Sequence, residues 1–262
     1  MADEIVVGVS ASATALVAVR WAARLARERH LPVMLVHAGQ DAGALARAVS
    51  VAEGEGVGVR AESSEQSVVP LLLEWSRVAR MLVLGASGRS SAVARHTRSP
   101  ALTVAARAGC PVVVVRGGCR PGPVVVGVDG SEAGERAVGL AFDEAARRDV
   151  PLVALHASSD AEYRTATAPA MRPVEWEPRR EDDRRPLSER LAGWRERYPE
   201  VVLERIVVRD RPRHHLLRWS ERAHLVVVGT RGRAGLPGMV LGSTSRTLAQ
   251  RAGCPVMVVP PR

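Results

Sequence analysis

The stretch LVVVGTRGRAGLPGMVLGST, residues 225–244, joins an apolar run to a glycine-rich loop. The run over 225–228 is long enough only for a buried strand, and Gly229 and Gly232 end it. Nine further residues lead to Gly242, Ser243 and Thr244, and then to TSRTLAQRAG, whose apolar residues recur at helical spacing. A strand emptying into a glycine loop and a Ser/Thr-opened helix can cradle phosphate. Glycines let backbone N–H groups approach an anion, and a helix N-terminus carries partial positive charge.

Outward from this loop, the chain alternates short apolar runs with amphipathic stretches. In the first half the patterns predict strands over 5–9, 33–37, 57–61, 81–84 and 111–116. They predict helices over 13–28, 43–52, 66–80 and 100–108. The pattern then restarts. VVVGVDGS at 124–131 repeats IVVGVSAS at 5–12, and Pro151 to His156 repeats Pro32 to His37. HLVVVGTRG repeats RMLVLGASG, Trp219 stands where Trp75 stood, and AGCPVMVVP at 252–260 repeats AGCPVVVVR at 108–116. Landmarks shared in the same order make this a duplication. The domains are residues 1–117 and 124–262, with 118–123 as a short linker of turn formers. The second copy is longer after its second strand, over 158–186, where MRPVEWEPRREDDRRP predicts a loop or a short irregular helix.

Strands alternating with helices predict an α/β fold, each half a parallel sheet covered by helices. Such sheets bind ligands beyond the carboxyl ends of strands where strand order reverses. If the first and fourth strands of the second half are neighbours, Asp129 lies across a crevice from Gly229.

Composition excludes several function classes. The chain has 262 residues, a formal charge of +9 and no lysine, so all its basic side chains are arginine. A Walker-type loop needs a lysine on the phosphates, and the glycine spacing is not that of a dinucleotide fold. No zinc-knuckle spacing or aromatic-and-basic strand face supports nucleic-acid binding. No apolar run is long enough to span a bilayer, which argues against a membrane partner. Three cysteines, Cys110, Cys119 and Cys254, give no disulfide framework, so a reducing, cytoplasmic setting is expected.

A first-strand aspartate followed, after the fourth strand, by G-x2-G-x9-G-[S/T] resembles the nucleotide-binding pattern of the universal stress protein family. Asp129, Gly229, Gly232, Gly242 and Ser243 carry it. With the duplication, the whole chain resembles a tandem universal stress protein. The resemblance implies two Rossmann-like domains of the adenine nucleotide alpha hydrolase type, with strand order 3-2-1-4-5. It also implies ATP in the crevice, with or without Mg2+. By position, Gly127 and Asp129 flank the nucleoside, and Ala157 lies near the adenine. Val228, Gly229, Arg231 and Gly232 cover ribose and phosphates, and Gly242, Ser243 and Thr244 hold the phosphate tail. The last strand of each half is implied to pair across a dimer-like interface, within the chain as a pseudo-dimer or between chains as a homodimer.

Chemistry supports the same division. A carboxylate repels a triphosphate, so Asp129 suits ribose hydroxyls or the adenine edge, while Arg231 and Arg233 suit phosphate. The first half departs from the pattern. Ser10 stands for the aspartate, Gly85 and Gly88 remain, and Arg98, Ser99 and Pro100 replace the Gly-Ser-Thr. A side chain at 98 and a proline without N–H at 100 predict weak or no binding there. His37 and His156 read as repeated structural residues. His214 and His215 are adjacent on a helix and face different ways, so they do not form a metal pair. Cys110 and Cys254 read as packed thiols, and Trp75 and Trp219 as core or interface residues. No general base is identifiable. The reading is therefore a regulatory ATP-binding module with slow or absent hydrolysis and an unidentified protein partner. A nucleotide-free interaction scaffold and a slow ATPase are the alternatives.

Overall fold

The computed structural model describes residues 3–86, 99–116, 120–158, 181–209, 211–232 and 241–261. Gly88, Arg98, Cys119, Arg233 and most of the 158–186 insertion lie outside the described residues. The first repeat runs β1 (Ile5–Val9), α1 (Ala13–Arg29), β2 (Val33–Ala38), α2 (Ala42–Glu53), β3 (Val59–Ser64), α3 (Val68–Trp75), β4 (Met81–Gly85), α4 (Pro100–Arg107) and β5 (Val112–Val115). The second runs β6 (Val124–Val128), α5 (Glu132–Arg148), β7 (Leu152–Ser158), α6 (Glu181–Arg197), β8 (Leu203–Arg209), α7 (Pro212–Ser220), β9 (Leu225–Gly229), α8 (Ser243–Arg251) and β10 (Val256–Val259).

All ten strands form one sheet in the order β3-β2-β1-β4-β5-β10-β9-β6-β7-β8. Each repeat thus has the order 3-2-1-4-5, parallel throughout, and strand order reverses at β1/β4 and at β6/β9. The valine-rich strands need cover on both faces because a parallel sheet presents apolar side chains alternately to each. Val124, Val126 and Val128 belong to one core, shared with residues of α1, α2, α5 and α6, while Val125 belongs to the other, shared with residues of α3, α4, α7 and α8. Each core runs across both repeats.

The repeats meet through β5 and β10, which pair antiparallel with Val113 opposite Met257. Each of these residues is the second after its Cys-Pro, Cys110-Pro111 or Cys254-Pro255, so each faces its own repeat equivalent. An approximate twofold axis therefore passes between them. This pairing removes an edge that either half alone would leave open.

Local chemistry repeats with the fold. Ser12 caps α1 by accepting from Ala15 N at 3.2 Å, and Ser131 caps α5 by accepting from Gly134 N at 3.0 Å. His30 and Asp149 end those helices in the left-handed region, with φ of 54° and 50°. Three expectations shift. The helix expected over 66–80 stops at Trp75, because Ser76 Oγ donates to Leu73 O and accepts from Gly109 N at 3.1 Å. Val78, within that expected helix, is exposed. The third strand begins at Val59, not Val57, since its register is set by Val33 of β2. Residues 181–186, expected in an irregular segment, open α6.

Candidate functional site

The crevice lies at the carboxyl ends of β6 and β9. These strands are neighbours, with Val124 beside Leu225 and Val126 beside Val227, so Val128 and Gly229 end at the same level. The chain leaves β6 toward β7 and returns on β6's other side as β9. The connections therefore splay apart and leave the strand ends open.

Asp129, the first residue after β6, uses one carboxylate oxygen locally. Oδ1 accepts from Ser131 N at 3.0 Å and from Ser131 Oγ at 2.7 Å. Oδ2 accepts no hydrogen bond among the described residues and faces Gly232, where a Cβ would lie 2.7 Å away. The single proton of Ser131 Oγ is shared with Arg231 O at 3.2 Å, which ties the two loops together. In the first repeat Ser10 Oγ bonds Ser12 Oγ at 3.0 Å and makes the equivalent of the Oδ1 contact. The turn forms without the aspartate. Oδ2 is what the second repeat adds.

The glycines divide into two kinds. A Cβ on Gly229 would come within 3.0 Å of Ala133 and Gly134, and one on Gly85 within 2.7 Å of Thr14 O. Both glycines therefore seat a helix against its strand, in both repeats. Gly242 is different. Its N–H donates to Thr230 O at 2.8 Å, and a Cβ there would lie 3.2 Å from that oxygen. It occupies the N-cap of α8 with no side chain to cap it, so the first-turn N–H groups stay available to an anion. Ser245 Oγ anchors the loop by donating to Gly229 O at 2.6 Å.

The remaining expected residues gather around this frame. Gly127 and Ala157 are half-buried at the ends of β6 and β7, and Val228 is buried beneath them. Arg231 and Ser243 are exposed and Thr244 is half-buried. His37 Nδ1 bonds Val9 O at 3.0 Å and His156 Nδ1 bonds Val128 O at 2.7 Å, the matched structural role expected of them. Cys110 and Cys254 are buried and unbridged. Trp75 and Trp219 are half-buried against the same core. Among the described residues, no group of three His, Cys, Asp or Glu could hold a metal ion. No described helix is long and apolar enough to cross a membrane.

Fold and crevice together define an internally duplicated, doubly wound α/β protein whose two strand-order reversals have diverged. The chain belongs to the universal stress protein family, whose model matches residues 1–55 and 122–260. A universal stress protein of Mycobacterium tuberculosis is 40% identical over 287 residues, covering 97% of this chain and 95% of the relative. One from Mycolicibacterium smegmatis is 40% identical over 290 residues, covering 98% and 97%. The crystal structure of a universal stress protein from Archaeoglobus fulgidus shares the fold, with TM-score 0.72 and 16% identity, covering 100% of this chain and 97% of that one.

Two neighbours of the crevice escape the motif. A Cβ on Gly134, inside α5, would overlap Asp129 Oδ1, whereas the first repeat pairs the shorter Ser10 with Ala15. A glycine inside a helix costs about 1 kcal/mol relative to alanine, and that local cost was the available signal. Arg190, from α6, covers Gly130 (φ 73°) and donates to Glu135 Oε1 at 2.9 Å. It brings a cation beside the start of α5. No spacing in the sequence points to it, because only the fold brings α6 to this turn.

Proposed function

We propose that residues 124–262 bind one adenine nucleotide, ATP, as a regulatory ligand, and that residues 1–117 serve as their structural partner. The observation that carries this reading is Asp129 Oδ2, a carboxylate oxygen left over by its turn and absent from the first repeat. It suits the ribose hydroxyls, which donate to a carboxylate. Gly232 and Gly242 keep the backbone open, and the uncapped start of α8 suits the phosphates. Arg231, Ser243 and Thr244 stand where they can add donors, and Gly127, Val228 and Ala157 line the nucleoside end. Mg2+ would arrive with the phosphates and be held chiefly by them. The buried, unbridged Cys110 and Cys254 suit a reducing cytoplasm.

Isothermal titration with Mg-ATP tests the reading. The wild type is expected to bind one equivalent per chain. Asp129→Ser and Gly242→Arg, which copy the first repeat's Ser10 and Arg98, are expected to weaken binding at least tenfold. At a ligand concentration of 100 Kd, binding adds about 2.7 kcal/mol to stability, readable as a raised Tm. Two equivalents per chain, or unchanged affinity in both variants, overturns it.

A further inference from the structure

Buried polar atoms in folded proteins are almost always hydrogen bonded, so an orphan asks for a reason. Among the described residues, two such orphans stand in the second repeat beside the crevice: His215 Nε2 and Thr230 Oγ1. Both residues are more than nine-tenths buried, at 8% and 3% exposure. Thr230 heads the glycine loop, between Gly229 and Arg231. His215 lies in the first turn of α7, which starts where β8 ends and so reaches the same edge of the sheet as the crevice. Its neighbour Leu216 lies 3.2 Å from where a Cβ of Gly127 would be, and Leu216 shares a core with Ala157 and Val228. The nucleoside end of the crevice is therefore beside this turn.

The first repeat provides the comparison. Counting back from the matched tryptophans, Trp219 and Trp75, the residue in place of His215 is Leu71. Counting forward from the matched glycines, Gly229 and Gly85, the residue in place of Thr230 is Ala86. Both are apolar and buried, with no polar atom to satisfy. The half that lost the aspartate also lacks these two orphans. Packing alone therefore does not require a polar side chain at either position.

We propose that His215 reads the base of the bound nucleotide, its Nε2 hydrogen bonding to the polar edge of the ring. The proposal rests on the reading of the crevice as a nucleotide site. Burial, then the neighbouring His214 and Arg218, lower the His215 pKa, so the imidazole is neutral and does not compete with Arg231 for phosphate. A neutral imidazole nitrogen is a directional donor or acceptor according to its tautomer, and so suits the heterocycle. In the unliganded chain Nε2 is closed to water, and the base reaches it by displacing the start of α7. That turn is weakly held. Its N-cap, Arg211, is left-handed at φ 47° and makes no side-chain capping bond.

The test compares wild type with His215→Leu, which copies Leu71, using ATP, GTP and inorganic tripolyphosphate as probes. The expected result is an ATP affinity about tenfold weaker, a smaller ATP-to-GTP ratio, and tripolyphosphate binding within about twofold of wild type. His215→Gln, which keeps a donor and an acceptor, should retain most of the discrimination. Without ligand, His215→Leu should melt above wild type, because an orphaned polar atom has been removed. Unchanged ATP affinity and selectivity in both variants overturn the proposal, as does an equal loss for tripolyphosphate. A wild type that binds no nucleotide overturns the site reading and this proposal together; a wild type that binds while the variants match it overturns this proposal alone.

Discussion

Arg29, in the last turn of α1, forms an ion pair with Glu144 of α5, so a charge from each repeat is buried in the seam between them. Arg148 closes on Glu144 from the other side, Asp143 pairs with Arg29 at 3.2 Å, and Glu28 approaches Arg148 at 3.7 Å. Glu144 is fully buried, and Leu25 holds the matching place in α1. Removing one partner from a buried network strands the others and costs about 3–5 kcal/mol. Glu144→Gln is therefore expected to lower the urea midpoint sharply, with the m-value unchanged. If the loss is below about 1 kcal/mol, the seam is held by its apolar contacts alone.

Asp129 and Gly134 form a coupled pair. Gly134→Ala should push the Asp129 carboxylate out of place and weaken Mg-ATP binding about tenfold, even though alanine favours the helix by about 1 kcal/mol. Asp129→Ser with Gly134→Ala rebuilds the Ser10–Ala15 arrangement and should fold at least as stably as wild type, without regaining affinity. A double-mutant cycle in urea measures the coupling, expected at 0.5–3 kcal/mol for side chains in contact. Additive effects would separate the two residues.

Two histidines set a pH dependence. His224 takes a hydrogen bond from Arg148 at its Nε2, at 3.1 Å, and its Nδ1 faces Arg120 O at 3.0 Å, an arrangement for the neutral ring. Burial first, and then Arg148, lower its pKa in the folded chain; His215 is lowered in the same direction. Below the ordinary value of 6.5 the unfolded chain takes up these protons before the folded one. Stability is thus complete above that pH and falls as the solution is acidified toward the folded values. Urea midpoints at pH 7.5 should exceed those at pH 5.5, and His224→Gln combined with His215→Leu should flatten that slope. An undiminished slope in the double variant would place the titration elsewhere.

Cys110 is a probe of native packing. Burial raises its thiol to about 12, against 9.0 for a free one, so almost no thiolate forms at pH 8. Alkylation of the native chain by iodoacetamide at pH 8 should leave Cys110 unmodified for hours and label it at once in urea. Fast native labelling, read by peptide mass spectrometry, would mean that β5 opens locally.

Much of this architecture is legible in the sequence because it is written locally. Valine runs, a Ser-capped helix start and two copies of Gly-Cys-Pro need only neighbouring residues to be understood. In the crevice, Asp129 and Gly242 stand out in the sequence because a repeated motif with one damaged copy shows which residues the scaffold can do without. Arg190 and His215 do not, since each acquires its meaning from a partner far away in sequence, and Gly134, though only five residues from Asp129, shows there only as a glycine inside a helix. Gly229 belongs to the glycine-rich loop of the expected site, and its missing side chain also seats α5, a constraint that Gly85 shares. The end of α3 is hidden in the sequence for a related reason: Val78 keeps helical spacing, but Ser76 Oγ also accepts from Gly109 N, far away in the chain.

The Val113–Met257 junction has one more consequence. Had the same sheet been assembled from two copies of a single-domain chain, symmetry would oblige both crevices to be identical, and any substitution would appear twice. Joining the halves covalently releases that obligation: one can lose its carboxylate while the other keeps it. On the proposed reading of one site per chain, occupancy is expected to follow nucleotide concentration as a simple hyperbola. The duplication would then serve as a graded reporter in place of a paired switch.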